Sequence, residues 1–395
     1  MISRHSAALT TVAATWLLAF ACCLSLSAQV ADTWQHEYYA EIPVYIDSIQ
    51  QELTYPLAWG KAPERNFAKW RKKARKKVLE CMMAPPPAAQ SYDVRLLAEE
   101  QRDGYRAQKI EFSLSRWYRV KAYLLIPDGE GPFPAVNVLH DHGAHLSIGK
   151  EKMVRPFHVE QRVIDDADAW VKTLYGGQYL GDYLARAGFV VLATDAPLWG
   201  ERGRKEGADR GKYDLIAGNM MMLGRDLSAF MTYDDMAATE LLATLPCVDA
   251  SRIGCAGCSM GAYRAWMLSA LSDRVKAAAC ICWMGSTFAQ LSHRYGRKEN
   301  GGFANCIPAL RQYLDYPHIA SIACPKPMLF ISGRRDKLFP LVGVEAAFDE
   351  MRRVWQSQGA ADRLETRLED QPHECNLDNQ HAILDFLKRH LMRME

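Results

Sequence analysis

The chain has 395 residues, 49% hydrophobic and 24% charged, a globular composition that excludes a disordered chain and is long enough to bury a large core. Its formal net charge of +2 at pH 7 argues against nucleic acid as a partner.

The N-terminus reads as an export signal. Arg4 gives a short basic start, Val12 to Leu26 is mostly apolar, and Ser25-Leu26-Ser27-Ala28 offers small residues for cleavage. Residues 1–28 are therefore expected to be removed. That would leave an exported protein (periplasmic, cell-surface or secreted) without a membrane span; a retained anchor is the alternative. Of 11 cysteines, Cys22 and Cys23 fall in this segment. Nine remain, an odd number, so at least one is unpaired. Cys255, Cys258, Cys280 and Cys282 lie in apolar stretches and read as small hydrophobes. Cys255-Ala256-Gly257-Cys258 has no second pair at zinc spacing, so it reads as packing.

Residues 29–90 read as an N-terminal extension, aromatic-rich and aperiodic up to residue 60. Pro63 to Met83 predicts a helix, with Phe67, Trp70, Ala74, Val78 and Met82 on one apolar face. The basic run from Arg71 to Lys77 falls largely on the solvated remainder. From 91 onward the rhythm is β and then alternating β and α. Lys109 to Ser115 and Tyr118 to Ile126 predict paired strands, and Phe133 to Leu139 an apolar strand ending at His140. Tyr179 to Ala187 predicts a helix, Phe189 to Ala193 a strand, and Asp226 to Leu245 a long helix. Arg252 to Ala256 predicts a strand and Ala262 to Leu271 a helix. Val275 to Trp283 and Pro327 to Ser332 predict strands, followed by a helix over Val342 to Gln358, a strand over Arg363 to Leu368 and a helix over Ala382 to Met392. The alternation predicts an α/β domain over 91–395, a mostly parallel sheet with helices on both faces. Long insertions at 141–178, 195–225 and 284–325 follow strand C-terminal ends, where such sheets bind ligands.

Between the predicted strand and helix lies Gly257-Cys258-Ser259-Met260-Gly261, a G-x-S-x-G pattern in the strand–turn–helix setting of a nucleophile elbow. Small glycines let neighbouring backbone approach. The Met260 amide, at the helix start, would face a developing oxyanion. A serine needs a base, and the base an orienting acid. Asp336 follows the strand ending at Ser332, and His373 follows the strand ending at Leu368, in the order the elbow layout requires. His381 is the rival base; Glu369 and Asp370 are weaker rivals for the acid. The loop His140-Asp141-His142-Gly143-Ala144-His145 should supply the second oxyanion donor, near His142. Its H-x-H-x-x-H spacing also allows a metal reading for His140, His142 and His145, but Ala144 stands where the related metallohydrolase pattern needs Asp. No metal or other cofactor is expected. In Gly200-Glu201-Arg202-Gly203, Arg202 could hold a carboxylate or sugar hydroxyls, or Glu201 and Arg202 could serve a structural network. Trp199 and Trp283, at strand ends, could stack on a sugar or pack in the core.

On these motifs, with Leu139 to Gly143, Asp195 to Gly203, Gly257 to Gly261, Pro325 to Pro340 and Pro372-His373-Glu374, the chain resembles the α/β-hydrolase superfamily over residues 90 to 395. Within it, the chain looks like exported bacterial acetyl xylan esterases and dienelactone hydrolase-like esterases. The resemblance implies Ser259 as nucleophile, His373 as base and Asp336 as its acid. Dienelactone hydrolases proper carry cysteine at the elbow; Ser259 here favours a carboxylic ester. The expected activity is two-step acyl transfer on a small-molecule or carbohydrate ester. A serine peptidase, a metallohydrolase using the histidine cluster and a non-catalytic carbohydrate-binding protein are the alternatives.

Overall fold

The computed structural model describes residues 45–46, 48–203, 210–291 and 302–392. The expected signal segment lies outside them. Nine strands form one sheet: β1 (Arg95–Arg102), β2 (Tyr105–Ser115), β3 (Tyr118–Pro127), β4 (Phe133–Leu139), β5 (Val190–Thr194), β6 (Val248–Cys258), β7 (Val275–Ile281), β8 (Met328–Gly333) and β9 (Leu364–Glu369). Their order is β1-β2-β3-β5-β4-β6-β7-β8-β9. The pairs β1/β2, β2/β3 and β3/β5 are antiparallel, and every pair from β5/β4 to β8/β9 is parallel.

The helices are α1 (Phe67–Cys81), α2 (Gln161–Leu174), α3 (Leu180–Arg186), α4 (Arg210–Met222), α5 (Leu227–Thr244), α6 (Met260–Leu271), α7 (Leu341–Ser357) and α8 (Leu377–Leu391), with shorter turns between. They cover both faces of the sheet. Along β7 the side chains alternate: Ala278 and Cys280 join the core with α1, α6 and α7, whereas Ala277, Ala279 and Ile281 join the core with α2, α3 and α8. Helix α5 packs on β2, β3 and β4 through Ala238, Leu241 and Leu242.

The expected helix at 63–83 forms as α1, shortened because the Asn66 side chain caps it by accepting from the Lys69 amide at 3.0 Å. Trp70, Ala74 and Val78 are buried as the periodicity requires. Its basic face is not wholly solvated: Arg71 donates to the Ile322 carbonyl, and Arg75 donates to the Ala270 carbonyl and pairs with Asp273. The extension is thus built into the larger core.

Four elements differ from expectation. Strand β1 has no buried residue; as a charged edge strand it lacks the alternation of a half-buried one. The 141–178 insertion contains α2, and the 195–225 insertion contains α4, so neither is a simple loop. Helix α8 begins at Leu377 rather than 382. Asn376 caps it, and Asn379 and Gln380 are buried through hydrogen bonds, so its first turn carries no apolar signature.

Candidate active site

At the end of β6 the chain makes the turn that the glycines foretell. Ser259 sits at φ 54° and ψ −124°, a strained conformation for a residue with a side chain. A Cβ on Gly261 would lie 1.9 Å from the Leu139 carbonyl oxygen, and one on Gly257 would lie 2.5 Å from Gly261 backbone atoms. Only glycine lets β4, β6 and α6 meet this closely. The Ser259 amide donates to the Ile281 carbonyl at 2.8 Å, tying the turn to β7. Met260 opens α6, so its amide has no acceptor within the helix.

Two further strand ends deliver the partners. Asp336 follows β8 and His373 follows β9. Their loops are pressed together: a Cβ on Gly333 would stand 2.2 Å from the Gln371 carbonyl oxygen. Ser259 Oγ lies 2.8 Å from His373 Nε2, and His373 Nδ1 lies 2.7 Å from Asp336 Oδ2. With a neutral imidazole, the serine hydroxyl donates to Nε2 and Nδ1–H donates to the carboxylate. The other Asp336 oxygen accepts from the Leu338 amide at 2.7 Å, which fixes the carboxylate plane. Phe339 stacks on the His373 ring, and Trp283 packs edge-on against Phe339. Burial alone would lower the His373 pKa, but the hydrogen bond and charge of Asp336 outweigh it and the pKa is raised above 6.5.

The rivals stand elsewhere. His381 is exposed on α8 near Tyr183. Glu369 and Asp370 are exposed, and Asp370 pairs with Arg335.

The histidines at 140, 142 and 145 diverge. His140 is fully buried; its Nδ1 donates to the Asp141 carbonyl at 2.8 Å and its Nε2 accepts from the Ala196 amide at 2.9 Å. Burial holds its pKa well below 6.5, so it stays neutral. His142 Nδ1 accepts from the Ala144 amide, and His145 Nε2 lies 2.7 Å from Asp166 while its ring stacks on Trp170. Among the described residues, these three do not form a metal-sized cluster. The two groups that do are Cys282, Asp336 and His373, and Glu151, Asp195 and Glu201. In the first, both His373 nitrogens face Ser259 and Asp336; in the second, the Lys150 ammonium fills the centre.

That second group is an ion cluster around the buried Lys150, with Glu151 and Asp195 buried and Glu201 at its exposed edge. Lys150 Nζ lies 2.6 Å from Glu151, 2.8 Å from Asp195 and 2.7 Å from Glu201. The three carboxylates hold the Lys150 pKa well above 10.5 against the effect of burial. Lys121 and Lys109 also pair with Glu201. Burial would raise the Glu201 pKa, but these cations bring it down to about 2. Gly200, at φ 53°, is required here because a Cβ would lie 2.6 Å from Asp195 Oδ1.

Arg202 pairs with Asp234 at 2.7 Å, donates to the Asp195 carbonyl and lies over Tyr118. Glu201 and Arg202 therefore serve two adjoining networks rather than each other. Trp199 is fully buried against His140, His142 and Tyr213, and Trp283 is 4% exposed among Tyr263, Trp266, Tyr316 and Phe339. Both tryptophans spend their faces on internal packing.

Three residues that shape the loop after β4 carry no signature in the amino-acid pattern. Asp141 is buried; its Oδ2 accepts from Tyr175 at 2.9 Å and from Trp170 Nε1 at 3.2 Å. Lys150 and Lys152 are wholly buried ammonium groups within a charged tripeptide that reads as exposed loop. Each of the nine cysteines from Cys81 to Cys375 is a free thiol. Cys282 lies beside the triad and donates to the Glu374 carbonyl.

The comparisons agree with this architecture. The chain is 29% identical over 323 residues to YtaP of Bacillus subtilis (strain 168), a protein named as a hydrolase by assignment; the match covers 80% of this chain and 99% of that protein. Among solved structures, a Bacteroides fragilis protein assigned as an acetyl xylan esterase superposes with a TM-score of 0.63 at 20% identity, covering 82% of this chain and 80% of that one. A glucuronoyl esterase from Solibacter usitatus superposes with a TM-score of 0.58 at 13% identity, covering 82% and 92%. The Abhydrolase family profile matches residues 49–368, from the N-terminal extension to β9. The chain belongs to this family of α/β hydrolases.

Proposed function

We propose that the protein is a serine carboxylic-ester hydrolase that removes acyl or alkyl groups from carbohydrate-derived esters. The observation that carries the reading is the continuous relay Ser259–His373–Asp336, at 2.8 and 2.7 Å, on a strained elbow. His373 takes the serine proton as Ser259 Oγ attacks the ester carbonyl. Asp336 holds the imidazole in the tautomer with Nδ1–H inward and stabilises the imidazolium. The oxyanion is received by the Met260 amide and by amides of the 142 region, each worth about 3 kcal/mol of barrier. His373 then protonates the leaving alcohol. In the second step it activates a water that clears the acyl-enzyme.

The carbohydrate part of the reading leans on structural neighbours named as acetyl xylan and glucuronoyl esterases. Export, read from residues 1–28, belongs to the same proposal; no helix among the described residues is long and apolar enough to cross a membrane. The test is a substrate panel of a chromogenic acetate, acetylated xylo-oligosaccharides, uronic acid methyl esters and short peptides. Hydrolysis of the sugar esters above the rest is expected. Cleavage of peptides alone would replace the reading with a peptidase of the same fold.

A further inference from the structure

The loop that follows β4 is held from behind by one cation. Lys152 Nζ donates to the Asp141 carbonyl at 3.2 Å and to the His142 carbonyl at 3.2 Å, and it lies 3.3 Å from Asp141 Oδ1. Each carbonyl has further donors: His140 Nδ1 for Asp141, at 2.8 Å, and Trp199 Nε1 at 3.1 Å and the His145 amide at 3.3 Å for His142. The ammonium sits 4.9 Å from the centre of the Trp170 ring. That same ring blocks any side chain at position 143, where a Cβ would fall 2.3 Å from it. The ammonium is fully buried, so it keeps this place at a desolvation cost that a purely apolar packing residue would not incur.

The geometry has a consequence for the other side of the loop. A trans peptide points its N–H opposite to its C=O. The Asp141 carbonyl shares a peptide unit with the His142 amide, and the His142 carbonyl shares one with the Gly143 amide. Gathering two successive carbonyls on one cation therefore turns two successive amides to the opposite side. Gly143, at φ 59°, supplies the left-handed step that such a pair needs. Paired amides of this kind form an anion-binding concavity.

We propose that Lys152 is a positioning residue for ester hydrolysis: by gathering the Asp141 and His142 carbonyls it aims the His142 and Gly143 amides at the oxyanion formed on Ser259. The proposal rests on the serine esterase reading above. Lys152 touches neither substrate nor the triad, and its action is carried by the two peptide units.

The test uses the full chain with Lys152→Met and Lys152→Gln. The readouts are kcat and KM on a chromogenic acetate, the rate of labelling by a fluorophosphonate, and affinity for an alkyl boronic acid that forms a tetrahedral serine adduct. Thermal melting establishes that each variant is folded. Lys152→Met is expected to lower kcat about 100-fold, as loss of one oxyanion donor does, with KM within about threefold. Labelling rate and boronic acid affinity should fall with kcat. Lys152→Gln, which keeps amide donors near the carbonyls, should lose less in the same pattern, and it decides the matter should the methionine variant not fold. A folded variant with unchanged kcat and boronic acid affinity, or with loss in KM alone, overturns the role of Lys152. A wild-type chain that the fluorophosphonate does not label overturns both this role and the esterase reading.

Discussion

Ser259, Asp336 and His373 would carry the proposed acyl transfer, and substitutions there should have the largest effects on rate. Ser259→Ala should lower kcat by about 10⁶-fold with little change in KM, because it removes a group used in bond making rather than in binding. Asp336→Asn should lower kcat about 10⁴-fold, since the amide cannot hold the productive tautomer. The pH dependence follows from the raised pKa of His373. The base must be neutral, so kcat/KM should fall as pH drops through a midpoint above 6.5, and Asp336→Asn should move that midpoint down. A kcat/KM profile for both forms checks the sign. These three positions were legible in the sequence because each follows a strand end: Ser259 and Asp336 stand just past buried apolar runs, and His373 just past the alternating edge strand β9. Lys150 and Lys152 were not legible: local sequence cannot say that a Lys-Glu-Lys run folds inward to meet Asp141, Asp195 and Glu201, which lie before and after it in the chain.

Among the elements, the elbow is the least tolerant. Gly261→Ala would drive a Cβ into the Leu139 carbonyl, backbone against backbone. The variant should lose about 1–3 kcal/mol or more of stability and most of its activity. Gly218→Ala, in α4, is the matched control: a Cβ there meets nothing within 4 Å and φ is ordinary. It should be neutral or gain about 0.5–1 kcal/mol. Denaturant midpoints for the two variants compare them directly. The central strands β4 to β8 were readable because burial on both faces makes them continuous apolar runs. Helix α2 also carries a signal within its long insertion, with Val163, Ala167, Trp170, Val171 and Leu174 at helical spacing. Strand β1 offered none, because as an edge strand it buries no side chain; polar contacts such as Glu99 with Gln108 and Arg106 join the backbone pairing with β2.

For the whole molecule, two features bind the site to the rest. The Lys150 cluster joins the loop after β4 to the one after β5, and β3 through Lys121. Lys150→Met would leave Glu151 and Asp195 buried without their cation, and about 3–5 kcal/mol of stability should be lost, measured by urea unfolding. The second feature is α1. Its buried Trp70, Ala74, Val78 and following Met82 belong to the same core as α6 and α7. A chain cut to begin at residue 91 would expose that face, so it should unfold at lower denaturant and be degraded faster by protease than the full chain. The expected boundary at residue 90 marks a change in sequence rhythm, while the hydrophobic contacts run across it.

The most direct test is intact-mass analysis after incubation with a fluorophosphonate, followed by peptide mapping. A single covalent adduct is expected on Ser259, formed at a rate that falls steeply in His373→Ala and absent in Ser259→Ala. An adduct on another residue, or none under conditions where the protein still cleaves esters, would contradict it.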